Sequence, residues 1–593
     1  MMKNNYFKRS ISVALVVLTL FAMMAFGFTA NAAVQQYNID TTKKASLTLY
    51  KYEMADVAAA TTGGTGEQTD RTSLPEGATP LKGVTFTVYK VAELDNYFTK
   101  DGASLPTAEE AEKMIKSSTP KKTGVTNDSG LVKFSNLPLG IYYVKETDGP
   151  AQVTKPIAPF VLSLPLTDKT GSKWLYDVYS FPKNETAYGD VSVKKLDSVT
   201  GKPLEGAEFT LYDSKDGQNY TEYQTNITTG SNGVAEIKSL PAQKYYKFVE
   251  TKTSDASYIL DSTVGYEFYV DATGDMIIDG KAVDNNTIVV GNEAPQIHKY
   301  ILDGKKGAEG IDNTANYGDT VYWKIKTDIP TTVGKLKTYN VVDTMSTGIE
   351  YKDSEVFLDD TKQLKEGTDY TVKAEGLTVT YTFKPTALVD YKQVIIYFNT
   401  TLTTKAPLAK DIPNTSELIY TNKVGTDSTY EKPSETPTVH TGGLQFKKTD
   451  GSKPLDNVEF KIYATEEDAK ANKNAIKTAK SDSNGLVTFK GLAYGSFSAD
   501  AEGKAANGVN GGSRDYWVVE TKGKAGYSLI SAPFKMTVNN KSHIAANNDE
   551  VVNNPVPELP PTGGAGTTVL FIVSGLMVGF GLLLFIRRKK ADE

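Results

Sequence analysis

Two short blocks of sequence recur three times in the chain, and this repetition limits the fold more than any other feature. The first block reads PLKGVTFTVY at 80–89, PLEGAEFTLY at 203–212 and PLDNVEFKIY at 454–463. A second block follows each copy, and both blocks alternate apolar and polar residues between Asn-Gly, Ser-Gly or Leu-Pro turns. This alternation is typical of half-buried antiparallel strands. The repeats therefore predict three related β-sandwiches.

The domain organisation follows from the positions of the repeats. A chain of 593 residues is long enough for three to five domains. The repeats predict domains at 33–184, 185–295 and 442–556, with a loop at 55–79 inside the first. Residues 296–441 lack both blocks but contain alternating segments, which predicts a fourth sandwich of a different subtype. The predicted fold class is all-β: tandem immunoglobulin-like sandwiches in an elongated rod.

Both ends of the chain carry targeting signals. Lys3, Lys8 and Arg9 precede an apolar run, and small residues at 30–32 suit cleavage, so residues 1–32 are interpreted as a signal peptide. The alternative is an uncleaved N-terminal membrane anchor. Near the other end, twenty apolar residues precede the cations RRKK. This pattern predicts a membrane helix with a cytoplasmic tail, and the rest of the chain outside the cell.

Composition excludes several classes of function. The net charge is −6, about −11 after removal of the signal and of everything beyond Thr562, and no basic cluster occurs outside the termini, which disfavours a nucleic-acid binder. The chain has no cysteine, so cross-links in an exported protein must use other chemistry. His298, His440 and His543 are scattered, and no phosphate loop or paired-histidine motif occurs, which disfavours an exported enzyme. No metal or cofactor is predicted, although calcium binding by Asp-rich loops stays open.

Three polar residues recur in the same order in each repeat. A lysine on the opening strand is followed by a glutamate in the second block and by an asparagine on the closing strand: Lys51, Glu146 and Asn184; Lys195, Glu250 and Asn292; Lys448, Glu520 and either Asn553 or Asn554. The fourth region offers Lys299 with Asn414 or Asn422. Singly, a strand lysine is usually solvated and an asparagine usually caps a turn. The fixed order indicates a joint role.

This order suggests a specific reaction. The first and last strands of a sandwich commonly lie side by side, so the lysine and the asparagine can meet in the core. Burial lowers the pKa of a lysine and raises that of a glutamate, which yields a neutral amine beside a neutral acid. The amine can then attack the carboxamide while the acid transfers protons and ammonia leaves. We therefore predict intramolecular Lys–Asn isopeptide bonds, each formed once per chain and hence not enzymatic turnover.

The whole arrangement resembles the sortase-assembled major, or backbone, pilins of Gram-positive bacteria. The repeats resemble the collagen-adhesin B-type domains of that family, with YYVKET, KFVETKTSDASY and WVVETKGKAGY in the place of its E-box. The fourth region resembles the A-type domain, in which an aspartate takes the part of the glutamate. The resemblance implies that Asp343 acts there, together with Lys299 and Asn422.

A second resemblance concerns WLYDVYSFPKN, residues 174–184, which is similar to the pilin motif of the family. The resemblance implies that Lys183 is the lysine that joins subunits, although Phe181 stands where tyrosine is usual. Because side chains alternate along a strand, we expect Lys183 to face outward and Asn184 to face inward toward Lys51.

The C-terminal residues 557–593 complete the resemblance. They contain a segment similar to the sortase sorting signal, then the membrane helix and the basic tail; the signal is Leu559, Pro560, Pro561, Thr562 and Gly563. The resemblance implies that a class C sortase cuts after Thr562 and joins its carbonyl to Lys183 of another subunit. The implied product is a head-to-tail fibre with minor tip and base pilins, which a housekeeping sortase attaches to peptidoglycan. The alternative is a monomeric wall-anchored adhesin for a host surface protein, which would not need Lys183.

Overall fold

The computed structural model describes residues 38–59, 63–98, 104–499, 512–544 and 549–557. The predicted signal peptide, sorting signal and membrane helix therefore lie outside the described residues. Within the described ranges, no helix is both long enough and apolar enough to cross a membrane. The chain divides into two compact units, Met1–Thr186 and Ala187–Glu593.

The first unit is a sandwich of short strands. Its described strands are β1 (Ala45–Tyr50), β2 (Tyr52–Met54), β3 (Thr79–Pro80), β4 (Thr85–Ala92), β5 (Lys121–Val125), β6 (Leu131–Leu137), β7 (Gly140–Asp148), β8 (Val153–Lys155), β9 (Phe160–Leu164), β10 (Leu166–Thr167), β11 (Trp174–Leu175), β12 (Asp177–Ser180) and β13 (Lys183–Thr186). The sheets have the orders β12-β1-β6, β3-β2-β13-β8, β5-β4-β7-β9 and β10-β11. Leu47 and Leu49 of β1 pack with Phe86 and Val88 of β4 in one buried cluster. The sheets that contain β1 and β4 therefore face each other.

The second unit begins with a two-sheet sandwich. Its strands are β14 (Tyr188–Asp197), β15 (Glu208–Ser214), β16 (Thr221–Thr228), β17 (Val234–Pro241), β18 (Lys244–Lys252), β19 (Gly265–Val270), β20 (Met276–Ile278), β21 (Lys281–Ala282) and β22 (Thr287–Asn292). The orders are β17-β14-β22 and β16-β15-β18-β19-β20-β21. Val191 and Val193 of β14 pack against Phe209 of β15 and Phe248 of β18, which joins the two sheets through one core.

The next part of the second unit has larger sheets. Its strands are β23 (Ile297–Leu302), β24 (Glu309–Gly310), β25 (Asp312–Thr314), β26 (Thr320–Asp328), β27 (Tyr339–Met345), β28 (Ile349–Leu358), β29 (Lys362–Gln363), β30 (Tyr370–Glu375), β31 (Thr378–Phe383), β32 (Gln393–Leu402), β33 (Ile412–Thr421), β34 (Thr429–Pro433) and β35 (Thr438–His440). The orders are β24-β23-β26-β32-β28-β29 and β25-β35-β33-β27-β31-β30, with β34 beside β33. Trp323 of β26 and Val341 of β27 belong to the same core, so these sheets also stack.

The last described sandwich repeats the pattern of the second. Its strands are β36 (Gly442–Thr449), β37 (Glu459–Tyr463), β38 (Lys477–Lys480), β39 (Leu486–Leu492), β40 (Arg514–Lys522), β41 (Phe534–Val538) and β42 (Asp549–Val552). The orders are β39-β36-β42 and β38-β37-β40-β41. Phe446 of β36 packs against Phe460 of β37 with ring centroids 5.0 Å apart, which places aromatic residues between the sheets.

The fold is mostly β rather than all β, because short helices interrupt the connections. The α-helices are α1 (Asp95–Phe98), α2 (Ala108–Lys113) and α3 (Glu466–Ala471). Short 3-10 helices lie at Val57–Ala59, Gln68–Ser73, Asp284–Asn286, Val333–Lys335 and Pro385–Ala387. Helix α2 starts at a capping box in which Thr107 and Glu110 exchange hydrogen bonds. Strand alternation contains no signal for such short helices, and for this reason they were not predicted.

The expected pairing of first and last strands is confirmed in the three repeats. In the first unit, β1 pairs parallel with β12, and the next strand, β2, pairs parallel with the last strand, β13. Strand β14 pairs parallel with β22, and β36 with β42. The region without the repeats differs: its opening strand β23 pairs antiparallel with β24 and β26. In each repeat this parallel pairing brings the end of the closing strand beside the lysine of the opening strand.

Candidate functional site

In the first unit the predicted lysine, glutamate and asparagine lie in direct contact. The Nζ of Lys51 lies 3.0 Å from Oε2 of Glu146 and donates a hydrogen bond to the carboxamide oxygen of Asn184. The Nδ2 of Asn184 donates to Oε1 of Glu146 at 2.6 Å. Lys51 and Asn184 are fully buried. The carboxyl group therefore touches both partners of the predicted bond.

The second cluster has the same arrangement, centred on the carboxyl group. The Nζ of Lys195 lies 3.3 Å from Oε2 of Glu250, and Nδ2 of Asn292 donates to Oε1 of the same glutamate at 2.9 Å. All three residues are buried. Lysine and asparagine thus occupy opposite oxygens of one carboxyl group.

In the last sandwich the buried trio is Lys448, Glu520 and Asn553. The Nδ2 of Asn553 donates to Oε1 of Glu520 at 2.7 Å, and Nζ of Lys448 donates to the carbonyl oxygen of Val551 at 3.0 Å. Of the two asparagines left open by the sequence, Asn553 is buried and Asn554 is exposed. The structure therefore places Asn553, not Asn554, beside the glutamate.

The recurrence of the first block has a structural reason, because it positions the glutamate. The phenylalanine of the block lies directly opposite the glutamate in the antiparallel strand pair of every repeat: Phe86 and Glu146, Phe209 and Glu250, Phe460 and Glu520. The leucine of the same block donates its backbone N–H to the carbonyl oxygen of the lysine: Leu81 to Lys51, Leu204 to Lys195, Leu455 to Lys448. One block thus positions both the glutamate and the lysine.

The second block holds the lysine from the other side through its turn glycine. In every repeat the lysine N–H donates to the carbonyl oxygen of that glycine at 2.7 Å: Lys51 to Gly130, Lys195 to Gly233, Lys448 to Gly485. A Cβ on Gly233 would lie 2.5 Å from the carbonyl oxygen of Lys195, and Gly233 has a φ of +74°. Only glycine combines this left-handed conformation with such close approach. This role of the glycine was not predicted, although the glycine recurs in every copy of the second block.

The fourth lysine cluster lies in the region without repeats. Lys299 is fully buried, and its Nζ contacts Oδ2 of Asp343, which also accepts a hydrogen bond from the hydroxyl of Ser416 at 2.7 Å. The same Nζ donates to the carbonyl oxygen of Thr415 at 3.2 Å. It also lies 5.5 Å from the centre of the Trp323 ring. The aspartate implied by the resemblance therefore contacts the lysine.

The asparagine predicted for this cluster, Asn422, does not lie there. Its Nδ2 donates to the carbonyl oxygen of Ala256 at 2.8 Å, and Ser428 donates to its Oδ1 at 2.8 Å. Asn422 lies seven residues beyond Thr415, roughly 20 Å along an extended strand. Asn422 is therefore too far from Lys299 to contact it, which corrects the prediction that these two residues form a pair.

The alternative asparagine, Asn414, points into the core beside this cluster. It is fully buried, and neither polar atom of its side chain has a hydrogen-bond partner. In the strand pair β27 and β33, Asn414 lies opposite Met345 while Ser416 lies opposite Asp343, so Asn414 and Ser416 share one face. A buried carboxamide without partners is costly, which makes Asn414 the residue to explain here.

Burial sets the electrostatics of all four clusters. It lowers the pKa of each buried lysine from 10.5 to about 8, against the opposing effect of the nearby carboxylate: Lys51, Lys195, Lys299 and Lys448. Burial also raises the pKa of Glu250 and of Glu520. Both shifts favour the neutral amine and the neutral acid over the ion pair.

Lys183 directly precedes Asn184 of the first cluster and lies at the edge of a cleft. It is the first residue of β13, where the alternation of side chains turns Asn184 inward, as predicted. Lys183 is half-buried rather than fully exposed, and it lines a cleft of about 650 Å³ together with Phe181, Pro182 and Asp70. Burial lowers the pKa of Lys183, and the Asp70 carboxylate opposes this lowering. Phe181 stacks on Tyr50 with ring centroids 5.5 Å apart, so a phenyl ring fills this position without a hydroxyl group.

Other predicted site residues fall elsewhere. Leu559, Pro560, Pro561, Thr562 and Gly563 lie outside the described residues. The histidines are separated: His298 contacts Glu435 at 2.8 Å, whereas His440 is buried between Asp312 and the carbonyl oxygen of Tyr494. In the part of the chain with coordinates, no group of three or more His, Cys, Asp or Glu side chains is arranged to hold a metal ion.

Comparison with protein families assigns a description to most of the chain. The model of the Gram-positive pilin subunit D1, N-terminal domain, matches residues 42–185. The prealbumin-like fold domain matches 189–283 and 442–514, and the Sgo0707 N2 domain matches 304–424. The LPXTG cell wall anchor motif matches 551–593. One model thus matches both the second and the last sandwich, in agreement with their common blocks.

Individual relatives are fimbrial proteins. The chain is 28% identical over 427 residues to the fimbrial subunit type 2 of Actinomyces naeslundii, a match that covers 63% of this chain and 75% of that protein. It is 31% identical over 189 residues to the fimbrial subunit type 1 of Actinomyces viscosus, covering 30% of this chain and 32% of that protein. Among solved structures, the full-length major pilin SpaD from Corynebacterium diphtheriae matches with a TM-score of 0.35 at 20% identity, covering 88% of this chain and 100% of that one.

The pilin domain at one end, the anchor motif at the other and the fimbrial relatives point to the same kind of protein. Its place is the cell surface, in a pilus anchored to the cell wall, and its role is structural rather than enzymatic. The chain belongs to the Gram-positive major pilins, the backbone subunits that carry an LPXTG cell-wall anchor.

Proposed function

We propose that this pilin is polymerised covalently through Lys183 and Thr562 and is stabilised by four internal isopeptide bonds. The observation that carries the proposal is that each of four sandwiches contains a fully buried lysine near a carboxyl group and a buried asparagine, in a chain without cysteines. The proposed domains are 33–184, 185–295, 296–441 and 442–556.

The internal reaction uses groups that are already in contact. In the first unit, Lys51 as a neutral amine attacks the carboxamide carbon of Asn184. The new C–N bond forms as the bond to the amide nitrogen breaks. Glu146 moves one proton from the lysine nitrogen to the leaving nitrogen, which departs as ammonia. Glu250 and Glu520 have the same role for Lys195 with Asn292 and for Lys448 with Asn553.

In the region without repeats, we propose Lys299 and Asn414 as the bonded pair, with Asp343 as the proton-transfer group. The bond would replace a buried amine and the unpartnered carboxamide of Asn414 with one amide, which removes the carboxamide nitrogen and lowers the total desolvation cost. Ser416 would keep the aspartate carboxyl group oriented through its hydrogen bond.

Replacing each candidate asparagine by alanine tests whether Asn414 is the partner of Lys299. Measured against its own sequence mass, Asn414→Ala should lose one ammonia fewer, about 17 Da, than the wild-type chain loses against its sequence mass, because one bond fails to form. Asn422→Ala is the matched control and should leave the mass loss intact, since its side chain contacts Ala256 and Ser428 instead. Intact-mass spectrometry reads both. A retained ammonia in Asn422→Ala and not in Asn414→Ala would reverse the assignment.

The pH dependence of stability tests the state of Lys195. In Asn292→Ala the bond cannot form, so Lys195 remains an amine whose pKa burial lowers from 10.5 to about 8. Between these two values the unfolded chain binds more protons than the folded chain, and stability therefore rises with pH. The rise is on the order of 3 kcal/mol across the window.

In the wild-type chain Lys195 is an amide and makes no such contribution. Calorimetric melting between pH 7.5 and 10.5 should therefore show the gap between variant and wild type narrowing as pH rises. Parallel curves would mean that Lys195 is a free amine in both proteins.

The proposed intermolecular reaction gives the cleft beside Lys183 a role, which is to receive the acyl group that Lys183 attacks. A class C sortase would hold the Thr562 carbonyl as a thioester, and the half-buried amine of Lys183 would attack it. Repetition gives an open head-to-tail fibre, because the two linked positions differ. The remaining partners are minor tip and base pilins, a housekeeping sortase and peptidoglycan.

An immunoblot of boiled, denatured cell-wall extracts tests the polymer. A ladder of high-mass bands supports covalent assembly, because boiling in detergent separates all other contacts. A single band at the monomer mass would instead support a wall-anchored monomeric adhesin that binds a host surface protein.

A further inference from the structure

The cleft beside Lys183 has an uneven set of charges. Among the described residues that line it, the cations are Lys155, Lys169 and Lys183, and the single acidic residue is Asp70. Apolar groups such as Ile157 also contribute to its walls. In surroundings of reduced polarity, one carboxylate attracts an ammonium group more strongly than in water.

The position of Asp70 is fixed by its own loop. Its carboxylate accepts hydrogen bonds from the backbone N–H of Thr65 at 2.6 Å and from the Thr65 hydroxyl at 2.8 Å. Gly66 lies between Thr65 and Asp70 in the chain, and its carbonyl oxygen accepts a hydrogen bond from the backbone N–H of Tyr179 at 2.9 Å. Tyr179 belongs to β12, the strand that leads to Lys183. Gly66 has a φ of +83°, and a Cβ there would lie 2.4 Å from Leu166. The loop therefore cannot shift without breaking these contacts.

A second connection runs through aromatic side chains. The guanidinium of Arg71, next to Asp70, lies 5.1 Å from the centre of the Tyr50 ring. Tyr50 in turn stacks on Phe181, two residues before Lys183. The residues on either side of Asp70 along the chain, Gly66 and Arg71, are thus connected to the segment that presents the lysine.

We propose that Asp70 is a positioning residue that holds the ε-amino group of Lys183 in the cleft for attack on the incoming acyl group. The inference rests on the proposed function of Lys183. In that reaction the ammonium first releases one proton to solvent. The neutral amine then forms a C–N bond with the Thr562 carbonyl carbon, the C–S bond breaks, and the sortase cysteine leaves as a thiolate that takes the second proton from nitrogen. Asp70 restricts a long, flexible side chain before this step.

The test uses the full-length chain, purified in detergent, as Asp70→Asn, Asp70→Glu and, as a matched control, Glu67→Gln. Glu67 belongs to the same loop, but its carboxylate faces Lys173 at 3.4 Å. Two rates are measured at pH 8: acetylation of Lys183 by a small reagent, read by peptide mass spectrometry, and polymerisation by the pilus sortase. We expect Asp70→Asn to raise the first about threefold, because the ammonium loses its counter-charge. It should lower the second about tenfold.

The opposite directions of the two effects distinguish positioning from a general loss of structure. Asp70→Glu should restore both rates in part, and Glu67→Gln should change neither. The inference is overturned if Asp70→Asn leaves either rate unchanged or moves both in the same direction. If the wild-type fibre is joined through a residue other than Lys183, the proposed function fails with it, and peptide mapping detects this before any variant is made.

Discussion

We expect the mature ectodomain, residues 33–562, to weigh about 68 Da less than its sequence mass, because each of the four proposed internal bonds releases one ammonia of about 17 Da. The reason is the same in every sandwich: a lysine whose pKa burial lowers to about 8 lies close to a carboxyl group in a core that also contains a buried asparagine. Glu250→Gln should lose only three ammonias, because glutamine cannot transfer the proton. Intact-mass spectrometry of the purified chain gives both values.

The same variant should lose stability as well as the bond. Without the amide, Lys195 remains a buried amine beside a carboxamide that cannot neutralise it, which costs about 3–5 kcal/mol. Glu236→Gln is the control, since Glu236 is exposed on β17 in the same sandwich. An unchanged mass for the wild-type ectodomain would refute all four bonds, and a full mass loss in Glu250→Gln would refute the role of the glutamate.

The second large effect concerns assembly: Lys183→Arg should abolish the fibre ladder completely. Arginine keeps the positive charge and the length of the side chain, but it stays protonated and cannot attack a thioester. Denaturing immunoblots of cells that express the variant should therefore show the monomer alone. In wild-type fibres, digestion should yield a branched peptide in which Lys183 is joined to Thr562.

Lys155→Arg is the matched control for this experiment, since Lys155 lines the same cleft. It should leave the ladder unchanged. A ladder that persists in Lys183→Arg, or that disappears equally in Lys155→Arg, would contradict the assignment of Lys183 as the linking residue.

Much of this arrangement was predictable because the repeats encode local rules. Alternation predicted the strands, and chain order predicted that the first and last strands of a sandwich lie side by side. The structure shows that β14 and β22 do so in parallel, which brings Asn292 toward Glu250 and Lys195. The inward turn of Asn184 next to Lys183 follows from the two-residue period of a strand. These features depend on residues that are close in sequence, and a single sequence is enough to predict them.

The remainder depends on distance in space, which the sequence does not encode directly. Asn422 and Asn414 both flank strand-like segments, and only the register of β33 against β27 places Asn414 on the face shared with Ser416. Likewise, Asp70 lies in a loop rich in Ala, Thr and Gly without any periodic signal. Its approach to Lys183 results from contacts made far along the chain, such as that between Gly66 and Tyr179.

The location of Lys183 in β13, the last strand of the first unit, has a mechanical consequence. In a fibre joined through Lys183 and Thr562, tension enters each subunit at Lys183 and leaves at its C-terminal end, so residues before 183 bear no load. A Lys51–Asn184 amide would then make the strand that carries Lys183 more rigid. A Lys195–Asn292 amide would instead carry tension directly between the neighbouring strands β14 and β22, so that the hydrogen bonds of the sheet would not have to bear it. The same type of bond would thus stabilise the linkage site in the first domain and bear the tension in the others.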